Sequence, residues 1–298
     1  MKFAQTSELL QFIKSEKLFS DLRGFAEIYE GGSSYNFCVH TKKNKYLLKL
    51  ISVRNIDNYN RIKQIHQQLG IDYPLGNYIF ENCLLLATKY IEGKKFRFAN
   101  FNNNTFNQIM EQHDKLSKCS IDDNLIRAQQ MSSELVQDIG DKLKQEKGIV
   151  AKIIYQKFFV SFQKEIIEMP VSNEIIHGDF TANNILMDSS RYPNLIDFDR
   201  VRYGYQIEDI VYLVMQLSGF RGLYGNLRRF NKLYNIVNDK YNFSKQEWLY
   251  GIQMFYLNSL HRWVYNSTKK KRNIRKGFCF IISLFGYFRL AKLFKQPK

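Results

Sequence analysis

The stretch that most constrains what this chain can become runs from Ile175 to Arg200: Ile-Ile-His-Gly-Asp-Phe-Thr-Ala-Asn-Asn-Ile-Leu-Met-Asp-Ser-Ser-Arg-Tyr-Pro-Asn-Leu-Ile-Asp-Phe-Asp-Arg. Two short apolar runs, Asn184–Met187 and Asn194–Phe198, flank a turn-rich segment. That composition predicts a β-hairpin with a longer loop. A hairpin symmetric about its loop sets Leu186 opposite Leu195, Ile185 opposite Ile196 and Asn184 opposite Asp197. Opposed residues have Cβ atoms about 4.5–5.5 Å apart, so an amide and a carboxylate come side by side. Asp179 precedes Asn184 across a loop too short to carry it far. Three oxygen-bearing side chains then converge at one hairpin end, as a hard cation such as Mg²⁺ requires. The plain alternative is an exposed turn that happens to contain Asp and Asn.

An Asp, four intervening residues and an Asn form the layout of a kinase catalytic loop. There the Asp accepts the proton of the attacking hydroxyl, the Asn holds magnesium, and a later Asp holds the metals bridging the phosphates. With His-Gly before it and Ile-Asp-Phe after it, the stretch resembles the aminoglycoside phosphotransferase and choline kinase-like family. His177, Gly178, Asp179, Asn184 and Asp197 occupy the signature positions. The resemblance implies an α+β, bilobal protein kinase-like fold: an N-terminal antiparallel sheet lobe with one main helix, and a larger, mostly helical C-terminal lobe. It implies ATP and Mg²⁺ as cofactors and Asp179 as the catalytic residue. Asn184 and Asp197 become metal ligands, with His177 and Asp209 in support.

Upstream, Thr6–Lys17 has the spacing of a short amphipathic helix. Three strand-like runs follow, Phe25–Glu30, Tyr35–His40 and Lys45–Ile51, joined by short polar turns as an antiparallel meander. The first connection, Gly31-Gly32-Ser33-Ser34, has the chemistry of a loop folded over phosphates. An ordinary hairpin turn reads the same way; the resemblance assigns Gly32, Ser33 and Ser34 to nucleotide binding. Lys49 lies in the apolar run Tyr46–Ile51, where a buried ammonium needs an anionic partner. The resemblance makes that partner the α- and β-phosphates. Kinase-like folds orient this lysine with a helix glutamate, yet the helix expected at Asn55–Leu69 contains no Glu and only Asp57 as an acid. Strands Tyr78–Phe80 and Cys83–Tyr90 come next. Tyr90, Ile91 and Glu92, before Gly93, match the hinge where this family reads adenine through backbone groups. The implied divisions are residues 1–89 for the nucleotide-binding lobe, 90–93 for the hinge and 94–298 for the catalytic and acceptor-binding lobe.

Helical spacing predicts Thr105–Lys118, Leu125–Lys147 and Ile149–Glu168, with His113 packing behind the catalytic loop. Asp209 opens another helix; either it matches the positive helix end or, as in the resembled family, it braces the catalytic loop. Ser244-Lys245-Gln246-Glu247 is a capping box. Lys269–Lys276 is strongly basic and precedes the apolar Gly277–Phe288. That pairing suits either an anionic membrane surface or a solvent turn before the last core helix.

The net charge is +16, and from Ile210 onward Asp239 and Glu247 are the only acids against seventeen Lys and Arg. Polycationic aminoglycosides are poorly served by such a surface. The expected partner is a small-molecule or glycan hydroxyl acceptor, preferably one carrying phosphate or carboxylate; nucleic acid is the weaker candidate. Four scattered cysteines and the lack of a secretory leader pattern suit a cytoplasmic protein with free thiols, or one peripheral to the inner membrane face. The expected function is ATP-dependent phosphoryl transfer to a hydroxyl. The alternatives are a nucleotide-binding pseudokinase and a basic protein that binds nucleic acid or a membrane surface.

Overall fold

The computed structural model describes residues 6–16, 19, 21–28, 35–52, 56–70, 77–80, 83–122, 133–146, 149–167, 169, 172–220, 225–266 and 286–294. The chain divides into two compact units: Met1–Gly93 with Cys119–Ile126, and Lys94–Lys118 with Arg127–Lys298. The architecture is α+β, with an antiparallel sheet in the first unit and a mostly helical second unit.

In the first unit, α1 (Thr6–Ser15) leads into β1 (Leu22–Ile28), β2 (Tyr35–Thr41) and β3 (Lys45–Ser52). After α2 (Ile56–Leu69) come β4 (Asn77–Phe80) and β5 (Cys83–Lys89). The strands form one sheet in the order β1-β2-β3-β5-β4, every neighbour antiparallel. Side chains alternate across a strand, so the two faces can be read directly. Leu48 and Leu50 join Phe37, Val39, Leu85 and Ala87 in a core with Leu9 and Ile13 of α1. On the other face Ile51, Leu84 and Leu86 pack with Tyr59 of α2. Lys49 shares that second face, in register with Asn36 on one side and Leu86 on the other.

In the second unit, β6 (Lys94–Lys95) precedes α3 (Asn103–Ser117), which Asn102 caps by accepting from the Thr105 amide at 2.8 Å. Next come α4 (Ser133–Gln145), α5 (Ile149–Ile154) and α6 (Val160–Gln163). The helix expected over Ile149–Glu168 is therefore shorter, and a π turn at Tyr155–Phe159 interrupts it. Phe158, Phe159 and Phe162 are all buried across this turn. The segment Ile175–Arg200 forms β7 (Ile175–Ile176), β8 (Ile185–Met187) and β9 (Pro193–Leu195). β10 (Arg202–Tyr203) pairs with β7, and β6, β8 and β9 make a three-stranded sheet. Three long helices complete the described unit: α7 (Gln206–Leu217), α8 (Leu227–Tyr241) and α9 (Lys245–Asn266). The capping box at α9 is present, with Glu247 accepting from the Ser244 amide at 2.8 Å. Residues 286–294 are also helical and bury Tyr287, Leu290 and Ala291. The basic Lys269–Lys276 lies outside the described residues. No described helix is long and apolar enough to cross a membrane. Cys38 and Cys83 are buried thiols, whereas Cys119 is partly exposed.

The hairpin register differs from the symmetric expectation by one residue. Ile185 pairs with Leu195, Leu186 with Asn194 and Met187 with Pro193. The cause is the connecting loop, Asp188–Tyr192, in which Arg191 adopts a left-handed φ of 63° and the Asp188 amide donates to the Tyr192 carbonyl at 3.0 Å. Five residues rather than six lie between the paired ends. Asn184 consequently offers its carbonyl to the Ile196 amide at 3.0 Å, and Asp197 falls one residue beyond this pairing.

Candidate active site

The shape of the loop between β7 and β8 is set from beneath by one buried carboxylate. Asp209, in the first turn of α7 and 3 % exposed, accepts from the His177 amide at 2.6 Å and the Gly178 amide at 3.0 Å. His113 of α3 reaches the same carboxylate through Nε2 at 2.9 Å. Burial by itself would raise the Asp209 pKa. The hydrogen bond and charge of His113, with His177 and Arg202 adding to it, outweigh burial and hold the carboxyl below its ordinary value. Gly178 has φ +71°, and a Cβ there would lie 2.1 Å from the Arg200 carbonyl. Only glycine fits both that backbone angle and that approach.

His177 is fully buried and donates from Nε2 to the Ile196 carbonyl at 3.0 Å. Its ring lies 5.1 Å from Phe198 and 6.1 Å from Phe180. A ring so enclosed ties this loop to the residue before Asp197. The short helical turn Ala182–Asn184 follows, with the Ala182 amide donating to Gln216 of α7 at 2.7 Å. Asn184 donates from Nδ2 to the Asp179 carbonyl at 2.9 Å and to its carboxylate at 3.3 Å. This spends the amide nitrogen on Asp179 and leaves its oxygen as the acceptor. Asp197 takes a left-handed φ of 65° where the chain turns from β9 into the short helix Phe198–Arg200.

Asp179, Asn184, Asp197, His177 and Asp209 are thus gathered in one unit. Among the described residues no group of three or more His, Cys, Asp or Glu converges as a self-contained metal site. One amide oxygen and one carboxylate suit a cation that takes its remaining ligands from phosphates and water, as Mg²⁺ commonly does. Lys49, Tyr90, Ile91 and Glu92 belong to the other unit. The Tyr90 amide is engaged by the Lys45 carbonyl at 3.0 Å, and the Glu92 carboxylate pairs with the Lys45 ammonium. The hydrogen bond and charge of Lys45 hold Glu92 below its usual value. Asp57 is exposed in the first turn of α2. Gly32, Ser33 and Ser34 lie outside the described residues.

Sequence reasoning missed Arg262 of α9, whose Nη2 lies 3.4 Å from Asp179 Oδ1 and whose Nη1 donates to the Tyr212 hydroxyl at 3.0 Å. A signal was present: past its first residue, α9 has Arg262 as its only Lys or Arg, set among the buried Leu257, Leu260 and Val264.

Residues 158–231 match the model of the phosphotransferase enzyme family. The match covers about a quarter of the chain. No curated protein matches the chain in sequence. In three dimensions the chain is similar to a spectinomycin phosphotransferase in complex with ADP and spectinomycin, at 14 % identity and a TM-score of 0.63. That likeness covers 97 % of this chain and 94 % of the other. An aminoglycoside phosphotransferase in a ternary complex with ADP and hygromycin B has a TM-score of 0.64 at 11 % identity, covering 97 % and 99 %. A choline kinase from Streptococcus pneumoniae has a TM-score of 0.60 at 14 % identity, also covering 97 % and 99 %. The fold is protein kinase-like, and the segment matched by the family model spans His177–Asn184, Asp197 and Asp209.

Proposed function

We propose that the protein transfers the γ-phosphoryl group of ATP to a hydroxyl of a small molecule or glycan. One observation carries the reading: Asn184 hydrogen bonds to Asp179 in a loop whose two preceding amides are held by buried Asp209. Asp179 orients the acceptor hydroxyl and takes its proton. The acceptor oxygen bonds to the γ-phosphorus, the bond to the bridging oxygen breaks, and its electron pair leaves with ADP. Asn184 and Asp197 would hold Mg²⁺, which would offset charge on the phosphates. Lys49 adds a further positive charge toward phosphate. Of the hinge candidates, Ile91 and Glu92 offer backbone groups for adenine, since the Tyr90 amide is already engaged. Residues 1–89 serve the nucleotide, 90–93 its base and 94–298 catalysis and the acceptor. Likeness to proteins that hold ADP supports a nucleotide donor.

Catalysis of this kind is positioning plus electrostatics, so losing the carboxylate that takes the proton should be severe. Asp179→Ala is expected to lower ATP turnover by about 10²-fold or more with an accepted alcohol; a screen of hydroxylated metabolites for ATP consumption supplies that alcohol. Equal rates for wild type and variant would refute the reading. The lack of any Glu in α2 favours a second reading, a nucleotide-binding protein without turnover. Binding of Mg·ATP with no ATP consumption in the same screen would select it.

A further inference from the structure

In this arrangement the proton-accepting carboxylate is already occupied. Asp179 Oδ2 accepts from Asn184 at 3.3 Å, and Oδ1 faces Arg262 Nη2 at 3.4 Å. The guanidinium is placed by α9 and steadied by Tyr212, through its hydroxyl and through a ring whose centroid lies 5.8 Å away. The Asp179 side chain is 24 % exposed and that of Arg262 31 %, so a ligand can reach both. An acceptor hydroxyl that donates to Oδ1 would share that oxygen with Arg262.

We propose that Arg262 is a specificity-determining residue, a counter-ion that passes from Asp179 to an oxyanion on the acceptor. The acceptor class is then an alcohol bearing phosphate or carboxylate. This rests on Asp179 being the base. A cationic acceptor would meet the guanidinium with like charge. A neutral one would offer nothing in exchange for the ion pair it disturbs. An oxyanion replaces one charge-assisted contact with another, in the planar geometry that guanidinium matches best, and leaves Oδ1 to the hydroxyl. The sign of the chain's charge agrees with this, since residues from Ile210 onward include two acids against seventeen Lys and Arg.

The test is a calorimetric titration of protein saturated with Mg²⁺ and the ATP analogue AMP-PNP, with inorganic phosphate in one arm and acetate in the other. The stronger arm identifies the acceptor's anionic group. Wild type should bind, and Arg262→Gln should bind about tenfold or more weakly. Arg262→Lys should recover part of the loss. Asp179→Asn should bind several-fold more tightly than wild type, because Arg262 is released from its partner. Equal affinity of wild type and Arg262→Gln in both arms would overturn the proposal, as would Asp179→Asn binding no more tightly. These titrations need no turnover. An Asp179→Asn variant that still turned over ATP with an alcohol would instead count against the base assignment.

Discussion

At the scale of single residues, Asp209 decides more than the residues it supports. One carboxylate accepts two consecutive backbone amides and a histidine, so it shapes the loop that presents Asp179. Asp209→Asn would place an NH₂ donor against one of those donors. The expected cost is about 2–4 kcal/mol of stability, read by denaturant unfolding, together with a large loss of turnover. The pH dependence follows from the direction of the shift. Asp209 is held below its ordinary pKa, so its stabilisation is fully present above the unfolded value of about 3.9. It is lost as pH falls through the lower, folded value. The stability gap between wild type and Asp209→Asn should therefore be full at neutral pH and shrink in acid; a gap that widened in acid would contradict this. Gly178→Ala should be similarly costly, about 2–4 kcal/mol, because its Cβ would lie 2.1 Å from the Arg200 carbonyl at a positive φ. Thermal denaturation checks it.

Among the elements, the hairpin β8–β9 owes its position to a helix distant in sequence. Gln112 of α3 donates to the Pro193 carbonyl and accepts from the Leu195 amide at 3.2 Å, gripping β9 just before Asp197. Gln112→Ala is expected to cost about 1–2 kcal/mol and to lower turnover with nucleotide binding less affected, a split that kcat against KM for ATP would show. Strands and helices were legible where their periods are plain: the meander β1–β3, and α2, match the expected runs within a few residues. The hairpin register was not. Apolar alternation alone fits two registers, and the choice fell to Arg191 in a left-handed turn. The π turn at Tyr155–Phe159 was equally hidden, because aromatics at positions 158, 159 and 162 suit an ordinary helix by spacing alone.

For the molecule as a whole, the charge of +16 acts at long range on whatever approaches. If the acceptor is anionic, its KM should rise several-fold between low salt and about 0.3 M, as screening shortens the reach of the basic surface. A flat salt profile would indicate an acceptor held without that field. The same electrostatics argue against a polycationic acceptor, although solved proteins of similar fold include aminoglycoside phosphotransferases. Fold likeness at 11–14 % identity carries the scaffold and leaves the acceptor to the local chemistry of the site.

The sequence already singles out the candidate stretch, because His177, Gly178, Asp179, Asn184 and Asp197 stand at close, ordered intervals along one local segment. It also determined the sheet and the principal helices, whose periodicities are local properties of the chain. The resemblance already anticipated His113 and Asp209 beneath the loop, whereas Gln112 on β9 and Arg262 on Asp179 emerge from the tertiary structure alone. The Gln112 and Arg262 contacts join residues 81 to 83 positions apart. No local pattern encodes them, because a side chain's partner across such a span is set by how helices pack and not by the spacing of its neighbours.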